Sequence, residues 1–183
     1  MEIASENSMI HTDRLDLYLI KDSELFALGS ESTQEQALNE RLFANPHNVL
    51  TGEKPPHHNR IADVIAHPDN LKWYYRLIVE RSSNILVGST SFHAPPDSNG
   101  MLEIGIGIAQ PCRNRGFATE ALHGMWTWAS KQEGVEVLRY TVSPDNLPSM
   151  KIISNFGFSF VGTQDDPEDG LENIYEQNAQ QFA

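Results

Sequence analysis

The 183 residues carry 25 acidic against 13 basic side chains, a formal net charge of −12, and 39% hydrophobic residues, enough apolar material for one core of ordinary domain size. The charge excludes a broad nucleic-acid surface, which needs clustered Lys and Arg, and no run approaches the roughly 18 apolar residues of a membrane helix. The opening MEIASENSMI lacks the basic flank and apolar core of a signal peptide, and Cys112 is a single cysteine, so a soluble protein of a reducing compartment, the cytoplasm, is expected.

From Thr12 to Ile20, Leu15, Leu17 and Leu19 alternate with polar partners at the period of a half-buried strand, predicted to be the first. Asp22 is a candidate helix N-cap. Leu25, Phe26 and Leu28, then Ala37, Leu38, Leu42 and Phe43, predict one broken or two short helices with the break at Gly29-Ser30. The Pro-, Gly- and His-rich stretch from Asn45 to Asn59 predicts a surface loop long enough to cover a site. Lys72 to Glu80 and Asn84 to His93 are aromatic and β-branched runs on either side of Arg81-Ser82-Ser83, which predicts an antiparallel hairpin.

A second turn, Pro95 to Gly100, leads into a strand from Met101 to Ile108. Ala118, Ala121, Leu122, Met125, Trp128 and Ala129 then share one face of an amphipathic helix running from Arg115 to Gln132. A strand (Glu136 to Val142), a short helix (Leu147 to Asn155) and two closing strands near Phe158 and Ile174 complete the pattern. There is no repeat, heptad run or low-complexity segment, so a single α+β domain over residues 1–183 is expected.

Glu103 to Leu122, EIGIGIAQPCRNRGFATEAL, reads as a strand, a short turn and a helix start. Unpaired N–H groups and the helix dipole favour a phosphate at such a place. Gly116 lets it approach the backbone, and Arg113 and Arg115 offer charge-assisted hydrogen bonds. The segment is neither a Walker loop nor G-x-G-x-x-G, and by itself it is equally a basic helix cap. Downstream, Asp145-Asn146-Leu147-Pro148-Ser149 is a helix-start signal whose Asn146 and Ser149, three apart, meet on one side. That pair is either a cap alone or a cap that also touches a ligand.

These two segments carry a family resemblance. The turn resembles motif A of the GNAT acetyltransferases, R/Q-x-x-G-x-G/A, through Arg113, Gly116 and Ala118, and GFATEAL is similar to the RimJ/RimL-type branch. Asn146 and Ser149, followed by Asn155-Phe156-Gly157-Phe158, resemble the family's N-x-x-S and closing Gly-Phe, and TDRLDLYLI resembles its opening strand. The resemblance implies the GNAT fold: a mixed, mostly antiparallel central sheet flanked by helices, with splayed strands forming the coenzyme A cleft. It implies acetyl-CoA as co-substrate and direct transfer to a primary amine, either a protein N-terminal α-amine or a small molecule. On the same footing, Arg113, Asn114, Arg115, Gly116, Phe117, Ala118 and Thr119 would hold the pyrophosphate, and Ile106, Gly107 and Ile108 would present a bulged backbone to the pantetheine and the acetyl carbonyl. Asn146 and Ser149 would meet the pantetheine arm and its sulfur. No nucleic-acid or membrane partner is expected, and a homodimer is left open.

On the central strand Glu103 shares a face with Gly105 and Gly107, opposite Ile104, Ile106 and Ile108. Glu103 is the candidate to deprotonate the amine, directly or through water, against a reading as a solvent-facing strand-end charge. His93 is the second candidate. Ser149 is the candidate proton donor to the leaving thiolate by its match to the motif, with Tyr140 as the alternative. Cys112 reads as a small packing residue rather than a nucleophile, and His47, His57, His58 and His67 lack metal-ligand spacing, so no metal is expected. Gln34 to His67 carries no motif and is where acceptor-binding segments vary within the family. Two other readings stand beside acetyl transfer. One is a GNAT-fold module that binds or senses acyl-CoA without catalysis. The other is an unrelated phosphate-binding α/β protein, which would need a parallel sheet with crossover helices, contrary to the hairpin before Met101.

Overall fold

Residues 9–52, 58–167 and 170–183 are described by a computed structural model. They divide into two compact units: the described residues up to Ser91 with Ile106–Gly124, and Phe92–Gly105 with Met125–Ala183. The strand order is β1-β2-β3-β4-β5-β6-β8-β7, numbered along the chain. All pairings are antiparallel where registered except β5 with β6, so the sheet is mixed and mostly antiparallel, as in the GNAT fold.

In the first unit, β1 (Met9–His11), β2 (Leu15–Leu19), β3 (Arg76–Glu80) and β4 (Ile85–Phe92) form successive antiparallel pairs, with a register shift between Ile78 and Val79. β3 is buried along its whole length, which is why RLIVE reads as a run rather than an alternation. Helices α1 (Asp22–Leu28) and α2 (His58–Ala66) contribute Leu25, Leu28 and Val64 to a core that also takes in Leu38, Phe43, Leu77 and Leu86.

In the second unit, the Met101–Gly105 part of β5 (Met101–Ile108) runs parallel to β6 (Val137–Val142), only from Met101↔Val137 to Glu103↔Arg139. β6 continues to Val142 along β8 (Gly170–Asn178), and β8 pairs with β7 (Ser159–Asp166). The alternation of β6 buries Leu138, Tyr140 and Val142. Helix α3 (Phe117–Ala129) passes from the first unit into the second. There its Trp126, fully buried, packs against Phe156, Phe158 and Phe182 at ring-centroid distances of 5.1, 4.7 and 5.3 Å. Helix α4 spans Leu147–Asn155, the predicted range.

Several expectations are corrected. The three residues of β1 are too short to show a period and were not expected. The N-cap of α1 is Lys21, and Asp22 is the first helical residue. The helix expected over Ala37 to Phe43 is a single 3₁₀ turn, Gln34–Gln36, followed by turns; Leu38 and Phe43 are buried, but Leu42, counted on the same face, is 96% exposed. The loop expected to reach Asn59 gives way to α2 at His58. The strand expected from Lys72 begins at Arg76, because Pro68 opens a 3₁₀ turn, Pro68–Trp73, ahead of it. The helix expected to reach Gln132 ends at Ala129. Most of the opening stretch, and His57, lie outside the described residues. Among the described residues no helix is long and apolar enough to cross a membrane.

The Trp126 indole N–H has no hydrogen-bond partner among the described residues, so its value is packing alone. Trp126→Ala should lower unfolding free energy by about 3–5 kcal/mol, whereas Trp126→Phe, which removes the unpaired donor and keeps an aromatic ring, should cost less. Urea denaturation of the three proteins measures the difference.

Candidate active site

After β5, Pro111 opens a 3₁₀ turn, Gln110–Cys112, and the chain then passes through two left-handed residues, Asn114 (φ 62°) and Gly116 (φ 79°), into α3. Asparagine and glycine are the residues that tolerate this region. The Glu120 N–H donates to the Gly116 carbonyl at 3.1 Å, while the N–H groups of Asn114 to Thr119 donate to no backbone carbonyl among the described residues. Six consecutive donors in a kinked turn at a helix N-terminus make an anion nest. The donor set therefore fits a pyrophosphate.

Side chains fix the shape of this turn. Glu120 accepts the Thr12 hydroxyl at 2.6 Å, the Arg14 N–H at 2.7 Å and the Arg14 Nε at 2.7 Å. Arg14 in turn donates to the Arg115 carbonyl at 2.9 Å and lies 4.9 Å over the Phe117 ring. A Cβ at Gly116 would stand 3.3 Å from Arg14 Nη2. Burial pushes the Glu120 carboxyl up, but the bonds from Thr12 and Arg14 outweigh it and hold it below the usual glutamate value. Arg115 pairs with Glu80 and stacks on Phe117 at 4.5 Å. Glu80 is held low first by the Ser83 hydroxyl and then, against some desolvation, by Arg115.

Of the two arginines expected at a phosphate, Arg115 thus commits its guanidinium to Glu80 and leaves its backbone amide to the turn. Arg113 donates Nε to the Ile108 carbonyl at 3.0 Å and has no carboxylate partner among the described residues. Cys112 is buried, with Sγ 3.4 Å from His47 Nε2. Between β4 and β5 the backbones approach closely: the Ala109 N–H donates to the Val87 carbonyl at 2.9 Å, and a Cβ at Gly88 would stand 2.3 Å from the Gly107 carbonyl oxygen. A Cβ at Gly107 would meet nothing within 4 Å.

In the second unit, the Glu103 side chain is only 17% exposed, so it is not a free surface charge. Its Oε1 accepts the Thr141 hydroxyl at 2.6 Å and lies 3.5 Å from His93 Nδ1, and the His93 N–H donates to the Glu103 carbonyl at 2.9 Å. The two candidate bases are therefore neighbours. Asn146 caps α4, its Oδ1 accepting the Ser149 N–H at 3.2 Å. Ser149 lies near enough to the Tyr140 phenol to act on it, so the two candidate thiolate donors are neighbours. Burial pushes the Tyr140 phenol up, with Ser149 acting in the other direction, and the phenol stays protonated at neutral pH. Elsewhere, His67 lies 3.2 Å from Asp63, and no three His, Cys, Asp or Glu side chains gather as a metal ligand set among the described residues.

Sequence reasoning missed Arg14, Glu80 and Thr141 as neighbours of the candidate residues. Glu120 lay inside the quoted GFATEAL, but its partners are about a hundred residues away in the chain.

The profile of the Acetyltransferase (GNAT) domain matches residues 14–159. The chain belongs to the GNAT acetyltransferase family. Among curated relatives, an uncharacterized N-acetyltransferase, YjdG, of Bacillus subtilis is 35% identical over 82 residues, covering 45% of this chain and 49% of the relative. This GNAT chain spans about half the length of the curated relatives it matches. Solved structures similar in fold include the ribosomal-protein-S5-alanine acetyltransferase of Vibrio fischeri, with a TM-score of 0.64 at 13% identity over 96% of this chain and 98% of that one. Another is RimL, a ribosomal L7/L12 α-N-protein acetyltransferase solved with coenzyme A, with a TM-score of 0.62 at 14% identity over 93% and 97%.

Because Glu120 has a lowered value when folded, its contribution to stability is fully present above the unfolded glutamate value of about 4.3 and is lost as pH falls through the folded one. Glu120→Gln should therefore be less stable than wild type at pH 7, with the gap shrinking below about pH 4. Denaturation midpoints of both proteins from pH 7 to 3 check the sign.

Proposed function

We propose that the chain is a single GNAT domain that transfers the acetyl group of acetyl-CoA directly to a primary amine. The observation that carries this reading is the run from Asn114 to Thr119 of six N–H groups without a backbone partner among the described residues, in the segment that resembles the family's motif A. Acetyl-CoA supplies an activated acyl group as a thioester. The turn, with Arg113, holds the pyrophosphate, and the bare backbone of Ile106, Gly107 and Ile108 pairs with the pantetheine arm. Glu103, with His93 and Thr141, forms the proton-accepting cluster, and Ser149 with Tyr140 supplies a proton to the leaving thiolate. Buried Cys112 takes no part, in keeping with transfer that forms no acyl-enzyme.

Among primary amines, the α-amine of a protein or peptide is the first class to assay. It is supported by the names of the structural neighbours, which acetylate ribosomal proteins. The low count of Lys and Arg suits a neutral or cationic acceptor, and the cytoplasm is the compartment that goes with this reading. An acyl-CoA-binding module without catalysis would bind the donor and turn nothing over.

Titration calorimetry should show one acetyl-CoA bound per chain, and thiol release with a panel of N-terminal peptides and small amines should identify an acceptor. Gly116→Ala forces a Cβ into the left-handed region at a cost of about 1–2 kcal/mol. It should weaken acetyl-CoA binding by about tenfold, since 1.4 kcal/mol is a factor of ten. Wild-type protein that binds no acetyl-CoA sinks the proposal.

A further inference from the structure

We propose that the proton-accepting atom is Nε2 of His93, with Glu103 as its positioning residue rather than the base; this rests on the acetyl-transfer reading above. The Glu103 Oε1 already receives the Thr141 hydroxyl at 2.6 Å and faces His93 Nδ1 at 3.5 Å, and the carboxylate is largely shielded. The His93 side chain is 48% exposed, and among the described residues its Nε2 has no hydrogen-bond partner. The ring lies over β5, where a Cβ at Gly105 would stand 3.1 Å from Nε2, so glycine at 105 makes room for the imidazole. The His93 N–H bonded to the Glu103 carbonyl fixes the backbone from which the ring projects. A carboxylate facing Nδ1 favours the tautomer protonated there and leaves the lone pair on Nε2, above Gly105. Catalytic contacts of this kind are often long before substrate binds and tighten afterwards.

In the reaction the amine nitrogen bonds to the acetyl carbon and its proton passes to Nε2. The carbon–sulfur bond breaks with the electron pair on sulfur, and the thiolate takes a proton from Ser149 and Tyr140, which recover one from solvent as Nε2 releases its own.

Two measurements test this. Long-range ¹H–¹⁵N spectra of histidine-labelled protein, with the His93 signals assigned through His93→Gln, should show the Nδ1-protonated tautomer in wild type and a mixture in Glu103→Gln. With the acceptor that wild type acetylates, His93→Ala should lower kcat by about 10²–10⁴ with KM nearly unchanged, and added imidazole should restore at least part of the loss. Glu103→Gln should lose less than His93→Ala. The proposal is overturned by an Nε2-protonated tautomer in wild type, or by His93→Ala keeping kcat while Glu103→Gln abolishes it. Wild-type protein that binds no acetyl-CoA instead overturns the transfer reading and this role with it, and calorimetry separates that failure from the other two.

Discussion

The Glu120 carboxylate, in the first turn of α3, receives the Thr12 hydroxyl and both the N–H and the guanidinium of Arg14, and so ties the start of the first unit's sheet to the helix that opens the candidate phosphate site. Arg14, once held, reaches the Arg115 carbonyl and covers Phe117, which closes the kinked turn from outside. The turn itself has two left-handed residues and, among the described residues, no backbone bond from the N–H groups of Asn114 to Thr119. A charged acceptor with three donors is worth more than a neutral one, so the shape is set by a few strong bonds rather than by the turn's local preference.

The same arrangement explains how a chain of charge −12 keeps a place for a polyanion. Arg14 and Arg115 are neutralised by Glu120 and Glu80, so their main effect is mechanical. What remains to attract phosphate is local: N–H dipoles, the helix terminus and Arg113. Each such contribution is of the order of 0.3–1 kcal/mol when exposed, which makes their number matter more than any one of them. Pairing Arg115 with Glu80 also stacks the guanidinium on Phe117, so the residue shapes the turn without offering its charge to a ligand.

The elements that carry chemistry were legible in the sequence where the signal was local. The strand Met101–Ile108, the helix starting beside Gly116 and the helix Leu147–Asn155 each follow from alternation, a cap or a proline within a few residues. Failures fall where the fold overrides spacing. Ala37, Leu38, Leu42 and Phe43 have a helical interval, yet burial of Leu38 and Phe43 is met by turns, and Leu42 is left in solvent. The site follows the same division: Asn146 reads as a cap and is one, whereas nothing near Glu80 or Arg14 indicates the turn they brace. The adjacency of His93 and Glu103 depends on the register of β4 with β5, which periodicity alone does not fix.

Glycine has two different uses along β5. At Gly105 the missing Cβ is matched by a protein group, because the His93 imidazole occupies the space a side chain would take. At Gly107 a side chain would meet nothing of the described residues within 4 Å, so packing does not demand glycine there. The β6 ladder already ends at Glu103 and Arg139, so the backbone of Ile106 to Ile108 keeps its polar groups out of that pairing. A strand that has left one partner and carries glycine beyond that point has room beside it for an extended ligand, in keeping with the place proposed for the pantetheine arm.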